Sequence, residues 1–152
     1  MSDYFIATDR RLLDDEFVVQ SLQSTYWAAD RSRADIIASM ETSLCFGVFE
    51  SGRERQVGFA RVITDGVTFS WVCDVFIDPA YRGRGLGKSL VAEVLSHPNV
   101  TQTRTYLGTK DAHSFYERFG FKRWELMRRD VTTPNQSLQQ TQAAGSVRKT
   151  AA

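Results

Sequence analysis

The apolar positions of the chain change period several times, and each change marks an element. Tyr4-Phe5-Ile6-Ala7 is a short apolar-rich run that predicts a first strand. After it, Asp14 or Asp15 can cap a helix whose Phe17, Val18 and Leu22 recur at helical spacing. The aromatic pair Tyr26-Trp27 breaks that pattern. A second helix begins at about Ser32, with Ile36, Ile37 and Met40 on one side. From Leu44 the pattern becomes that of strands: Leu44–Glu50, then 56–63, then a long run over 67–77. They are separated by Ser51-Gly52-Arg53-Glu54 and Thr64-Asp65-Gly66. Turns this short between apolar runs predict an antiparallel meander.

Past Asp78-Pro79, a glycine-rich turn enters a helix with Leu86, Leu90, Val91, Val94 and Leu95 on one face, stopped near His97-Pro98. Residues 104–108 predict a fifth strand, 112–119 a short helix closed by Gly120, and 122–131 a last strand. The order β-α-α-β-β-β-α-β-α-β describes an α/β fold with a mixed, mostly antiparallel sheet. Residues 1–133 read as a single domain. Residues 134–152, rich in Gln, Thr, Ala and Ser, read as a polar C-terminal tail.

Composition narrows the function classes. Apolar residues at 42% and charged ones at 24% are ordinary for a soluble domain. A net charge of +1 argues against a surface built for nucleic acid or acidic lipid. No run approaches the ~20 apolar residues of a membrane span, and Met1-Ser2-Asp3-Tyr4 does not open a leader, so a cytoplasmic location is expected. Cys45 and Cys73 lie inside apolar runs and read as buried, reduced thiols. No metal is expected.

The stretch Val75-Phe76-Ile77-Asp78-Pro79-Ala80-Tyr81-Arg82-Gly83-Arg84-Gly85-Leu86-Gly87-Lys88-Ser89 carries the chemistry. It is a strand, a glycine turn and the start of a helix. Amides at a helix start have no partner within the helix, and glycines let an anion approach them closely. Arg82, Arg84 and Lys88 add positive charge, so the turn suits a pyrophosphate. A nucleoside-triphosphate P-loop would need glycine where Arg82 stands. A dinucleotide fingerprint would need it at Lys88 or Leu90.

Arg82-Gly83-Arg84-Gly85-Leu86-Gly87 resembles the coenzyme A signature Q/R-x-x-G-x-G/A of the GNAT (Gcn5-related N-acetyltransferase) superfamily, with Ile77-Asp78-Pro79-Ala80-Tyr81 as its usual lead-in. A second segment, Ala112-His113-Ser114-Phe115-Tyr116-Glu117-Arg118-Phe119-Gly120-Phe121, is similar to the family's A-x-x-x-Y-E-x-x-G-F. The resemblance implies acetyl-CoA as co-substrate, its pyrophosphate on the turn and its pantetheine arm on the backbone of Val75 and Ile77. Phe76, Leu86, Ser89 and Ser114 would share the cofactor site. Thr109 stands where the family often has Asn, and a hydroxyl cannot copy an amide's paired donor and acceptor. Tyr116 would point at the sulfur, where a phenol can protonate or stabilise the thiolate that acyl transfer expels.

Asp74 interrupts an apolar strand beside the expected thioester. It can be the general base that frees the attacking amine, or a structural carboxylate holding neighbouring strands. His113 suits a surface or cofactor-side role, and Cys73 has no paired His to make it a nucleophile. Tyr26, Trp27 and Asp30 lie where such folds wall the acceptor site, and aromatics beside an acid suit a cationic or amphipathic amine. Alternatively, Tyr26 and Trp27 pack the helices onto the sheet. The expected activity is direct acetyl transfer to a primary amine, a small molecule in preference to a protein, with a homodimer compatible. The alternative is a coenzyme A-binding sensor or regulatory module without catalysis.

Overall fold

A computed structural model describes residues 2–131. The tail 134–152 lies outside the described residues. The described chain divides after Phe121: residues 2–121 carry every helix and strand, and 122–131 are described by themselves.

Strands β1 (Tyr4–Ala7), β2 (Leu44–Glu50), β3 (Gln56–Thr64), β4 (Phe69–Ile77) and β5 (Arg104–Leu107) lie side by side in chain order. The first three pairings are antiparallel and β4–β5 is parallel, the mixed sheet expected from the sequence. Helices α1 (Asp15–Gln23) and α2 (Arg33–Glu41) precede the meander; α3 (Leu86–Ser96) and α4 (His113–Glu117) flank β5 in sequence. Both early helices start on side-chain caps. The carboxylate of Asp14 accepts from the Phe17 amide at 3.0 Å, and the hydroxyl of Ser32 accepts from that of Asp35 at 3.1 Å. Each cap is worth about 1 kcal/mol.

The sheet is covered on both faces. Leu86, Leu90 and Val94 of α3 pack with Phe46, Val62 and Val72. Val18, Leu22, Ile36 and Met40 of α1 and α2 pack with Cys45, Phe49 and Phe59. Cys45 is buried, and desolvation pushes its thiol up to about 12. In the unfolded chain that thiol ionises from about pH 9. Between those values the unfolded state has lost protons that the folded state keeps, so stability falls as pH rises, by about 1.4 kcal/mol per pH unit from this group. Urea unfolding from about pH 9 upward should show this slope, reduced by that amount in Cys45→Ala.

Two local differences from the sequence reading have physical causes. Strand β4 starts at Phe69 rather than Val67, because the carboxylate of Asp65 accepts from the amides of Val67, Thr68 and Phe69 at 2.8–3.0 Å. Those bonds wind 67–68 into the turn, and the Thr68 hydroxyl, which also donates to Asp65, joins them in holding its carboxyl well below its ordinary range. The last strand expected over 122–131 is corrected: these residues carry neither helix nor strand, and Trp124, Leu126 and Met127 are exposed. Trp124, Leu126, Met127 and Val131 supply strand propensity but not a ladder partner. Arg128 instead pairs locally with Asp130 at 2.8 Å.

Candidate active site

The site begins where the sheet opens. Pairing of β4 with β5 runs from Phe69↔Arg104 to Val72↔Leu107 and stops, while β4 continues to Ile77. On its other side, β4 is bulged. Phe59 pairs with Phe76 and Arg61 with Cys73, so three steps on β4 face two on β3. The extra residue sits at Asp74, whose φ of 54° is left-handed, a conformation that aspartate tolerates better than most residues. The outer side of 73–77 is therefore strand backbone without a β5 partner, at the carboxyl end of a parallel pair. Ligands of open α/β sheets enter at such ends. A depression of about 610 Å³ lined by Phe69, Thr103 and Tyr106 lies at the opposite ends of the same strands and has no titrating cluster.

The glycine turn stands at the tip of this fork. Asp78 and Pro79 open a single 3-10 turn, 79–81, and Gly83 and Gly85 then take φ of 79° and 76°. Gly85 is the N-cap of α3, with no side chain capping it. Among the described residues, nothing accepts from the amides of Leu86, Gly87 and Lys88. A Cβ on Gly83 or Gly85 would meet no atom within 4 Å, so the space above the turn is open. Free amides, a helix N-terminus and open space fit a pyrophosphate. Val75 and Ile77 are half-buried at the fork, whereas Phe76 turns into the interior.

The three basic residues are used differently. Arg82 donates through Nε to the carbonyl of Ile77 at 3.0 Å, and its guanidinium lies 5.6 Å from the Phe76 ring centroid. That bond occupies one of the strand carbonyls expected to meet pantetheine. Arg84 is tied down by Tyr81, whose ring centroid is 5.0 Å away, and by the Tyr4 hydroxyl, which accepts from Nη1 at 2.7 Å. Lys88 and Ser89 are exposed on the first turn of α3.

Helix α4 closes the other side. A Cβ on Gly87 would lie 3.7 Å from Phe115 and 3.8 Å from Ile77, so α4 abuts the start of α3 and the end of β4. Thr109 accepts from the Ala112 amide through its hydroxyl at 3.0 Å, which commits that group to starting α4. Ser114 is exposed on the same helix. Tyr116 is half-buried between Phe115 and Phe121, with centroids 5.0 and 5.9 Å away. Desolvation, with a smaller contribution from Tyr26, pushes its phenol up to about 12. Its hydroxyl has no hydrogen-bond partner among the described residues.

Asp74 lies on the floor. Its carboxylate, 1% exposed, accepts from Arg31 Nη1 at 2.8 Å and Arg61 Nε at 2.9 Å through Oδ2, and from Trp27 Nε1 at 3.2 Å through Oδ1. Of the two roles open to it, this arrangement favours the structural one, because a proton acceptor needs a lone pair free to face the substrate. Trp27 and Tyr26 stand above, 43% and 60% exposed, with rings 5.1 Å apart edge to face. The ammonium of Lys110 lies 5.6 Å from the Tyr26 centroid, joining the α1–α2 loop to the loop before α4. Asp30, in the same loop, is exposed and forms no ion pair among the described residues.

Sequence reading missed Arg31, Arg61 and Lys110. Arg61 had a signal, a charge interrupting the apolar run of β3 as Asp74 interrupts β4. Arg31 and Lys110 had none, since their partners are remote in sequence.

Known proteins resemble this chain over most of its length. The family model "Acetyltransferase (GNAT) domain" matches residues 42–123. A Gibberella zeae relative, acetyltransferase FG08082 by name, is 29% identical over 79% of this chain and 80% of its own. A crystal structure of a Xanthomonas campestris protein (xcc2953) described as belonging to the GNAT family is 41% identical. It covers 86% of this chain and 95% of that one, with a TM-score of 0.81. Rv2747 from Mycobacterium tuberculosis, crystallised with CoA and NLQ, shares the fold at a TM-score of 0.63 and 20% identity, over 85% of this chain and 76% of that one.

Proposed function

Because this chain belongs to the GNAT acetyltransferase family, we propose that it transfers acetyl from acetyl-CoA directly to a primary amine, with a small molecule as the favoured acceptor. The observation that carries this reading is the fork: strand backbone at 73–77 without a β5 partner, free amides at 86–88, and the Tyr116 hydroxyl, unpartnered among the described residues, on the helix that abuts both.

Acetyl-CoA, when bound, supplies an acyl group activated as a thioester. The turn amides and Lys88 hold its anionic part, and the free edge of β4 orients its arm. The acceptor amine must attack as the neutral base. Arg31, Arg61 and Lys110 lie on the acceptor side, and like charge lowers an ammonium's pKa, which raises the fraction of amine present as the neutral base. The amine lone pair forms the C–N bond as the C–S bond breaks, and the amine's proton leaves to solvent or to the departing sulfur.

Tyr116 meets the sulfur as a hydrogen-bond donor rather than by full proton transfer. A phenol near 12 giving its proton to a thiolate of ordinary pKa near 8.5 would be uphill by roughly 5 kcal/mol. A hydrogen bond to the developing anion needs no such transfer.

The turn can be tested separately from the chemistry. Gly85→Leu adds a side chain in open space, at a backbone cost of about 1–2 kcal/mol for its left-handed φ. Calorimetry should find acetyl-CoA bound at least about tenfold more weakly, a loss of roughly 1.4 kcal/mol or more. Gly87→Ala makes only ordinary contacts and should retain binding. Parental affinity in Gly85→Leu would remove the turn from the cofactor site. Release of free thiol from acetyl-CoA on adding amines separates the enzyme from a coenzyme A sensor, which would bind without consuming it.

A further inference from the structure

Resting on the acetyl-transfer reading above, we propose that the acceptor is an amine that also carries a carboxylate, and that Arg31 receives this carboxylate. Two guanidinium groups share the single carboxylate of Asp74, so the floor of the site keeps one excess positive charge. The excess is poorly hydrated, since the side chains of Asp74 and Arg61 are only 1% and 11% exposed. Arg61 is further engaged, donating through Nη1 to the Ser43 hydroxyl at 3.1 Å. Arg31 gives only Nη1 to Asp74, and among the described residues nothing accepts from its Nε or Nη2. At 28% exposure it is the cation on this floor that a ligand can reach.

The surroundings fit the same ligand. Asp74 holds the Arg31 guanidinium and the Trp27 indole together, so the charged fork and the aromatic ring are fixed relative to each other. Tyr26 extends that aromatic wall, and Lys110 adds a second cation at its rim. Asp30 and Asp111, next in sequence to these cations, are exposed and form no ion pair with them. An anchored planar guanidinium with free N–H groups is a carboxylate receptor, and its charge-assisted bonds gain strength where water is scarce. An acceptor whose far end is cationic would instead bring like charge to a desolvated cation.

The test is thiol release from acetyl-CoA with amino acids, α- and ω-amino and of several lengths, each paired with its own amide. In every pair that is turned over, the acid should have kcat/KM about tenfold or more above the amide. Arg31→Gln should bring that ratio toward one, chiefly through KM for the acid. Arg31→Lys, which keeps the charge without the planar fork, should restore part of it. Amides used as well as acids, or an acid-to-amide ratio unchanged in Arg31→Gln, would overturn the proposal. If no pair is consumed, calorimetry of the CoA complex with 3-phenylpropionate and 3-phenylpropionamide decides. Preference for the acid that depends on Arg31 supports the carboxylate site while acetyl transfer fails; equal or no binding overturns it.

Discussion

Tyr116→Phe is expected to lower kcat about 10²-fold, with kcat/KM falling equally and acetyl-CoA affinity unchanged. The phenylalanine keeps the ring packed against Phe115 and Phe121, and the lost hydroxyl has no partner among the described residues whose bond would be broken. A packing role for Tyr116 would therefore leave the variant active. The raised phenol adds a pH signature. An ordinary tyrosine would begin to lose its proton near pH 10, whereas this one stays protonated until about 12. In the parent enzyme, the alkaline side of the kcat profile should then show no fall near pH 10. Steady-state rates of thiol release across pH 7–11 in both proteins check both statements. A profile that drops near pH 10 in the parent would mean that the hydroxyl is better solvated than its surroundings imply.

Asp74→Asn should cost about 3 kcal/mol of stability, read as a fall of roughly 10 °C in Tm. Asparagine tolerates the left-handed backbone at this bulge, so the change isolates the charge. It leaves Arg31 and Arg61 facing each other without an anion between them. The figure sits at the lower end for breaking a buried ion pair because Arg31 is partly hydrated. Calorimetric melting gives the cost, and the pH dependence of the residual rate gives the role. A carboxylate that anchors two arginines predicts lower stability with the acid limb of the profile kept. Loss of that limb at unchanged Tm would restore Asp74 as the base.

How much of this was legible in the sequence depended on distance along the chain. Asp14 and Ser32 could be read as helix starts because a cap bonds an amide three residues on. The turn from Arg82 to Gly87 was legible because its geometry depends on those few residues alone. The ion-pair centre was not: Arg31 and Asp74 stand 43 positions apart, and no periodicity connects them. Asp74 itself could be singled out as a charge in an apolar strand, but its neighbours decide what that charge does. The run 122–131 shows the opposite failure. Its apolar residues were plain, yet a strand is a property of two segments, and one segment's composition does not specify the other.

The bond between Arg84 and Tyr4 changes when entropy is lost in this site. A free arginine carries about 2 kcal/mol of rotamer entropy that a ligand would have to freeze. Here the hydroxyl of the first strand and the Tyr81 ring hold Arg84 once the chain has folded, 80 positions from its hydrogen-bond partner. That ordering cost is charged to folding and not to ligand association. On the proposed reading the turn would meet its anion with one charge already held in place, and the N-terminal strand becomes a remote determinant of how rigid the turn is.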